Sequence, residues 1–297
     1  PAIARKKFEG CLGHGRSIGV TAFCRHQLPT HIMKIAALAL VAALVATVLE
    51  RPLTQIEDAV MFAAVEELTR ADLIDEPTLV DVSRLVAEPT EDMAARLRRT
   101  PADVATETSA VAYGLDKLLT RSLRGMFDGP STVPLLWDGP GIVLDLSAVP
   151  LDSEALPLVM VAAAGWLQQL MACPGPQRVQ VLDEAWALLG NRHTAAYLQT
   201  CFKLGRTYGA SNLCITHRAS DLVAQADDGT STAKIAAGLL ADSATKIILR
   251  QAPDQLDAAI AHFGLTDPEA RIVGQLTRGR ALWKVGGRTA VVHHVIG

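Results

Sequence analysis

Aromatic side chains are scarce in this 297-residue chain, which holds 4 Trp, 3 Tyr and 6 Phe. That scarcity excludes a broad stacking surface for bases or sugars. Cysteine is thin as well: Cys11, Cys24, Cys173, Cys201 and Cys214 are an odd count spread along the whole length, unlike the dense framework of an oxidised secreted domain. A reducing cytoplasm is expected. Neither charge dominates, since 28 Lys/Arg against 31 Asp/Glu leave a net charge of −3. Wholesale attraction to nucleic acid is therefore not the main business of the chain. Disorder is excluded for most of it, because 49% apolar residues over this length can bury a large core.

One long apolar run needs weighing. Met33-Lys34 precedes the uncharged segment Ile35 to Leu49, which imitates an internal signal peptide. As a helix it measures about 22 Å, against about 30 Å of bilayer hydrocarbon. No small-x-small cleavage site follows it; Glu50-Arg51-Pro52 ends the run instead. A buried helix is the expectation, and a membrane-anchored or signal segment is the alternative. Metal spacing is missing too: Cys11, His14, Cys24 and His26, with gaps of two, nine and one, match no standard zinc ligand set.

What is present is uneven. Residues 1–34 carry six Lys/Arg (Arg5, Lys6, Lys7, Arg16, Arg25, Lys34) against Glu9 alone, and residues 50–128 carry nine basic groups against sixteen acids. Residues 129–297 are balanced, with thirteen against fourteen. From Ile35 to about Leu123 the pattern is helical only, punctuated by Pro52, Pro77, Pro89 and Pro101, and Thr54 with Glu57 three residues on forms a capping box.

After Gly125 to Pro130 the pattern changes to alternation. Apolar runs ending at Asp145, Asp183, Thr216 and Leu249 are spaced 38, 33 and 33 residues apart, with helices expected at Leu158–Met171, Thr194–Tyr208 and Thr232–Leu240 between them. That spacing predicts one parallel α/β sheet. A helix near Pro253–Phe263, a second capping box from Thr266 to Glu269 and a hairpin of Ala281–Val285 with Thr289–Val295 about Gly286-Gly287 complete the chain.

In parallel sheets functional groups collect at the carboxyl ends of strands. Here those groups are Asp183-Glu184 and Thr216-His217. Two adjacent acids after an apolar strand suit nucleotide hydrolysis: the first can hold Mg²⁺ through water, and the second can orient or deprotonate the attacking water. The same pair could instead cap the following helix.

The neighbouring segments bear on that choice. Asp183-Glu184-Ala185-Trp186, Lys203-Leu204-Gly205-Arg206-Thr207-Tyr208-Gly209 and Asn212 to Arg218 with Ser220-Asp221-Leu222 stand in a distinctive order. Together with Met126-Phe127-Asp128-Gly129, Ala244 to Arg250 and Gly264-Leu265-Thr266, they resemble the large ATPases of conjugative transfer and type IV secretion.

The resemblance covers roughly residues 35–297. It implies an α/β fold: a RecA-like parallel sheet core of P-loop NTPase type, with an inserted all-helical subdomain and a C-terminal β-hairpin. On that footing residues 1–34 are an unplaced basic head, 35–124 the helical subdomain and 125–297 the second half of the ATPase core. Asp183 and Glu184 become the Walker B pair, with Asp183 on Mg²⁺. Thr216 and His217 take the γ-phosphate sensing position, where relatives often carry glutamine in place of His217. Arg206 is offered as an arginine acting on a neighbouring subunit's nucleotide.

The phosphate loop is the poorest match. Gly10-Cys11-Leu12-Gly13-His14-Gly15-Arg16-Ser17 fits G-x-x-x-x-G-K-[ST] except at Arg16, leaving Gly10, Gly15, Arg16 and Ser17 as the candidate ligands of nucleotide phosphates. Such a loop needs a strand before it and a helix after it, and the residues before it are Arg5-Lys6-Lys7-Phe8-Glu9. Only about fifteen residues separate it from the helical segment, fewer than a crossover unit needs.

The chain accordingly reads as the carboxyl-terminal portion of an ATP- and Mg²⁺-dependent motor subunit, incomplete at its N-terminus. The expected setting is a homo-oligomer, a hexamer, working in the cytoplasm at the inner face of the membrane with embedded secretion or conjugation components and a DNA or protein cargo. The alternative is a non-catalytic assembly remnant of such an ATPase.

Overall fold

A computed structural model describes residues 4–7, 30–70, 77–121, 123–130, 141–146, 149–150, 153–172, 177–218, 220 and 231–295. The chain divides into two compact units, Pro1–Cys173 and Pro174–Gly297.

In the first unit, β1 (Ala4–Lys7) pairs in parallel with β2 (Ile142–Asp145), Ala4 opposite Ile142 and Lys7 opposite Asp145. The charged run Arg5-Lys6-Lys7, which offers no apolar pattern, is a strand all the same, because the ladder is made by backbone N–H and C=O groups. Helix α1 (Thr30–Val48) puts Leu40, Val41, Leu44 and Val45 into the core at helical spacing. It stops where Glu50 takes a left-handed φ of 53°, followed by Pro52. Among the described residues no helix is long and apolar enough to cross a membrane. The Ile35–Leu49 run is a core helix.

Helix α2 (Gln55–Arg70) opens on the expected capping box, with Thr54 N–H donating to Glu57 Oε2 at 2.8 Å and Glu57 N–H to Thr54 Oγ1 at 3.4 Å. Arg51 grips the same carboxylate with both terminal nitrogens, at 2.8 and 2.7 Å. Its guanidinium holds the buried Glu57 carboxyl down to about 2, overcoming the opposing effect of burial. Helices α3 (Leu79–Ala87), α4 (Glu91–Arg96) and α5 (Pro101–Glu107) follow Thr78, Thr90 and Thr100 at their N-caps, and α6 (Ser109–Thr120) completes the set. The described residues from Ile35 to Leu123 are thus helices and turns, and the prolines stand at their boundaries.

One apolar cluster joins these helices. Leu44, Met61, Leu79, Met93, Leu115, Leu118, Met126 and Phe127 are fully buried in it, each contributing about 1.5–3 kcal/mol of burial. Helix α7 (Ala155–Ala172) adds Leu158, Val159, Val161 and Trp166.

The second unit begins with β3 (Arg178–Leu182), a 3₁₀ turn (Ala185–Gly190) and α8 (Arg192–Leu204). Next come β4 (Ala210–Cys214), α9 (Ser231–Asp242) and β5 (Thr245–Ile248). Helices α10 (Leu256–Phe263) and α11 (Asp267–Gln275) precede the hairpin β6 (Arg280–Val285) and β7 (Arg288–His293). Strands β3 and β4 are parallel, Arg178 opposite Ala210 and Leu182 opposite Cys214. Leu189, Ala195, Leu198, Ala236 and Leu239 form the core that joins the 3₁₀ turn, α8 and α9. The turn after α8 starts at Gly205, so α8 is shorter than the expected Thr194–Tyr208, and β4 begins at Ala210.

The single parallel sheet expected from the strand spacing is corrected: among the described residues the strands form three sheets, the parallel pairs β1-β2 and β3-β4 and a third that is antiparallel. Strand β5 pairs antiparallel with β6 of the C-terminal hairpin, Ile248 opposite Leu282, and makes a sheet of its own in the order β5-β6-β7. The packing gives the reason: Ile248 and Leu282, opposite each other across the ladder, are both buried in one cluster with Ala259 of α10 and Val273 of α11. The hairpin turns at Gly286 with φ 57°, as its Gly-Gly pair implies. The second capping box, Thr266 with Glu269, is present, and Lys284 Nζ and Thr289 Oγ1 both donate to that Glu269 at 2.8 Å. The Lys284 ammonium holds the Glu269 carboxyl down to about 2.

Candidate functional site

Strand β3 ends at Leu182, and its neighbour β4 ends opposite it at Cys214. The ladder continues one step: Ile215 N–H donates to Leu182 O at 2.9 Å, and Ala185 N–H donates to Ile215 O at 3.1 Å. Asp183 and Glu184 are therefore looped out between two residues that both bond to Ile215. Thr216 and His217 come directly after that same isoleucine. Four of the expected site residues are thus brought to one edge of one strand pair, where parallel sheets collect chemistry.

Asp183 is exposed, and its Oδ1 accepts Glu184 N–H at 3.2 Å. Glu184 has φ 53° and ψ 44°, a left-handed backbone that is uncommon for a residue with a Cβ. Such a conformation costs on the order of 1–3 kcal/mol and clusters at functional sites. Both oxygens of its carboxylate are occupied. Trp186 Nε1–H donates to Oε2, and His217 Nε2 lies 2.5 Å from Oε1. Thr216 Oγ1 donates to Arg218 O at 3.1 Å, which turns the chain back after β4.

Arg206 is not part of this edge. It lies in the turn between α8 and β4, where its carbonyl accepts Gly209 N–H at 3.3 Å, and Gly209 O in turn accepts Arg178 N–H at 3.1 Å at the start of β3. That is the amino-terminal edge of the strand pair, about 16 Å from the acids over five residues of strand. The turn around it has a steric cause of its own: a Cβ at Gly205 would stand 2.7 Å from Cys201 O and 2.9 Å from Ala210 O. Met126 and Phe127 of another motif are likewise core anchors, and Asp128 Oδ2 caps their turn by accepting Gly125 N–H at 3.1 Å.

On the face of β3-β4 that meets α8 the polar side chains bond to that helix. Gln180 bonds to the Tyr197 hydroxyl, and Asn212 Nδ2 donates to Cys201 O at 2.6 Å. Burial pushes the Tyr197 phenol and the Cys201 thiol up, and the Cys214 thiol up to about 12. Neither thiol is a nucleophile near neutral pH.

The remaining candidates, Gly10, Gly15, Arg16 and Ser17, lie outside the described residues, as does the Cys11, His14, Cys24, His26 set. Strand β1 ends at Lys7, before that stretch, and α1 begins at Thr30, thirteen residues beyond Ser17. Among the described residues no group of three or more His, Cys, Asp and Glu is gathered for a metal. Asp183 suits Mg²⁺, an ion that takes one or two carboxylates and otherwise water and phosphate oxygens.

Trp186 has no role assignable from sequence. Its contact with Glu184 spans two residues and depends on the left-handed turn rather than on any spacing rule.

No protein-family model and no curated protein sequence matches the chain. Solved structures do. VirB4 of Thermoanaerobacter pseudethanolicus superposes with a TM-score of 0.71 at 17% identity, over 99% of this chain and 77% of that one. The plasmid coupling protein TrwB in complex with ADP and Mg²⁺ gives 0.58 at 14% identity, over 99% and 74%. The unbound monoclinic form of the bacterial conjugative coupling protein TrwBdeltaN70 gives 0.60 at 14% identity with the same coverage. The mixed helix-and-strand architecture, with its parallel strand pairs and closing hairpin, is the RecA-like α/β fold of VirB4 and TrwB.

Proposed function

We propose that the chain is an ATP-binding and ATP-hydrolysing motor subunit of a conjugative-transfer or type IV secretion-like system. The observation that carries this reading is the convergence of Asp183-Glu184 and Thr216-His217 on Ile215, at the carboxyl edge of β3-β4. In this reading residues 35–124 are the helical subdomain and 125–297 the second half of the ATPase core.

Asp183, exposed at the strand end, holds Mg²⁺ through water, and Glu184 accepts a proton from the water that attacks the γ-phosphate. Thr216 and His217 donate hydrogen bonds toward the transferred phosphoryl group. When bound, Mg²⁺ neutralises phosphate charge. Arg206, on the opposite edge, is too far to serve its own subunit's acids and acts across an interface in a ring of like subunits, a hexamer. The phosphates themselves fall to Gly10, Gly15, Arg16 and Ser17. The complex of TrwB with ADP and Mg²⁺ supports the ligand class. The setting that completes the proposal is the inner face of a membrane-embedded transfer apparatus with DNA or protein as cargo.

Titration of the full chain with a fluorescent ATP analogue in Mg²⁺ tests the reading together with phosphate release. Saturable binding with turnover is expected, and Glu184→Gln should keep binding while losing turnover about 100-fold or more, the contribution of a general base. No saturable binding at millimolar nucleotide, or equal turnover by the variant, would sink it.

A further inference from the structure

We propose that Trp186 is a positioning residue for Glu184: its indole N–H holds Oε2 so that Oε1 is the oxygen presented to the reacting water. The inference rests on the role of Glu184 proposed for hydrolysis, and it adds to the site a residue outside the acid and phosphate-sensing pairs.

Three observations converge on it. Trp186 Nε1–H donates to Glu184 Oε2 from only two residues away. The ring that carries this donor is anchored, because Trp186 sits on the 3₁₀ turn and packs on the cluster of Leu189, Ala195 and Leu198. The backbone that allows the contact is special, since Glu184 stands at φ 53° and its carbonyl accepts Ala187 N–H at 2.9 Å, folding the turn back toward its own side chain.

The two partners of the carboxylate are not equivalent. His217 is 75% exposed and meets Oε1 from another strand, so it can leave; Trp186 is packed in place and stays. A glutamate without such a tether spreads its carboxylate over many rotamers. Holding one oxygen removes most of that freedom before water arrives, which is the part of catalysis that comes from orientation.

The decisive variant is Trp186→Phe, which keeps a ring on the apolar cluster and deletes the donor. In the full chain with Mg-ATP, kcat should fall about tenfold with KM for ATP unchanged, the signature of an interaction used after binding. Unchanged kcat with native folding would overturn the proposal. A second measurement does not depend on turnover or on that variant folding. In chain labelled with ¹⁵N at the indoles, the Trp186 signal is identified by elimination with Trp137→Phe, Trp166→Phe and Trp283→Phe. Its proton should resonate downfield as a bonded indole and move upfield in Glu184→Ala. No movement would overturn the proposal even if ATPase activity were present. Should Glu184→Gln turn over like the parent, or the parent not turn over at all, the general-base reading fails, while the indole signal still decides whether Trp186 tethers Glu184.

Discussion

His217 and Glu184 stand at the ends of two different strands, yet His217 Nε2 lies 2.5 Å from Glu184 Oε1. The imidazole therefore has two employments open to it at one edge, the carboxylate beside it and the phosphoryl group it is proposed to sense.

A hydrogen bond to a charged group contributes about 1.5–3 kcal/mol, so deleting the His217 donor should slow turnover about tenfold or more. His217→Ala is expected to show that loss in steady-state phosphate release, while His217→Gln, which retains an N–H donor, stays within about threefold of the parent. Equal rates for all three chains would remove His217 from the mechanism.

Acid should weaken the protein through two glutamates. Glu57 and Glu269 both titrate at about 2 in the folded chain, held down by Arg51 and Lys284, against about 4.3 when unfolded. A depressed carboxyl stabilises the fold above its unfolded value, and that contribution is lost as pH falls from about 4.3 toward 2. With both pairs near the surface, screening holds each contribution to about 1 kcal/mol. Melting temperatures measured from pH 7 to pH 2 should drop steeply in this window, and Glu57→Gln should flatten the drop while lowering the neutral-pH value. Parallel curves for variant and parent would refute the assignment.

The buried thiols should be silent. With Cys214 at about 12, its thiolate fraction at pH 8 is on the order of one in ten thousand. In a chain carrying Cys11→Ser, Cys24→Ser and Cys173→Ser, a chromogenic disulfide reagent should find no rapid thiol until denaturant is added, after which Cys201 and Cys214 both react. Rapid native labelling would contradict their burial.

Gly205→Ala should be costly out of proportion to its single methyl group. The added carbon meets the main-chain oxygens of Cys201 and Ala210 and the amide of Asn212, none of which can move without shifting α8 against β4. Overpacking of this kind costs about 1–3 kcal/mol. Urea unfolding followed by tryptophan fluorescence should show a lower midpoint for Gly205→Ala and little change for Gly238→Ala, whose Cβ meets nothing within 4 Å.

Much of the fold was legible because its signals are local. The runs expected to end at Asp145, Asp183, Thr216 and Leu249 are strands that end at Asp145, Leu182, Cys214 and Ile248, Thr54 with Glu57 and Thr266 with Glu269 are capping boxes, and Gly286-Gly287 turns the hairpin. The caps at Thr78 and Thr100 have Asp three residues on in place of Glu or Gln, and so escape the usual template. What was not legible is non-local. Nothing in the Lys246-Ile247-Ile248-Leu249 run says that its partner is Leu282-Trp283 instead of another parallel strand. The placement of the acids beside Thr216-His217 was readable from strand ends, whereas the tether from Trp186 and the remote edge occupied by Arg206 required the backbone path.

The double bonding of Ile215 has a consequence for which sequence changes this protein can survive. One amide and one carbonyl of a single residue set how far the acids stand from the imidazole. Substitutions in β4 leave that measure intact, but losing or gaining one residue within Ala210–Cys214 would bring a neighbour of Ile215 into its place and turn His217 to the other side. Length of this short strand is therefore held more strictly than its composition.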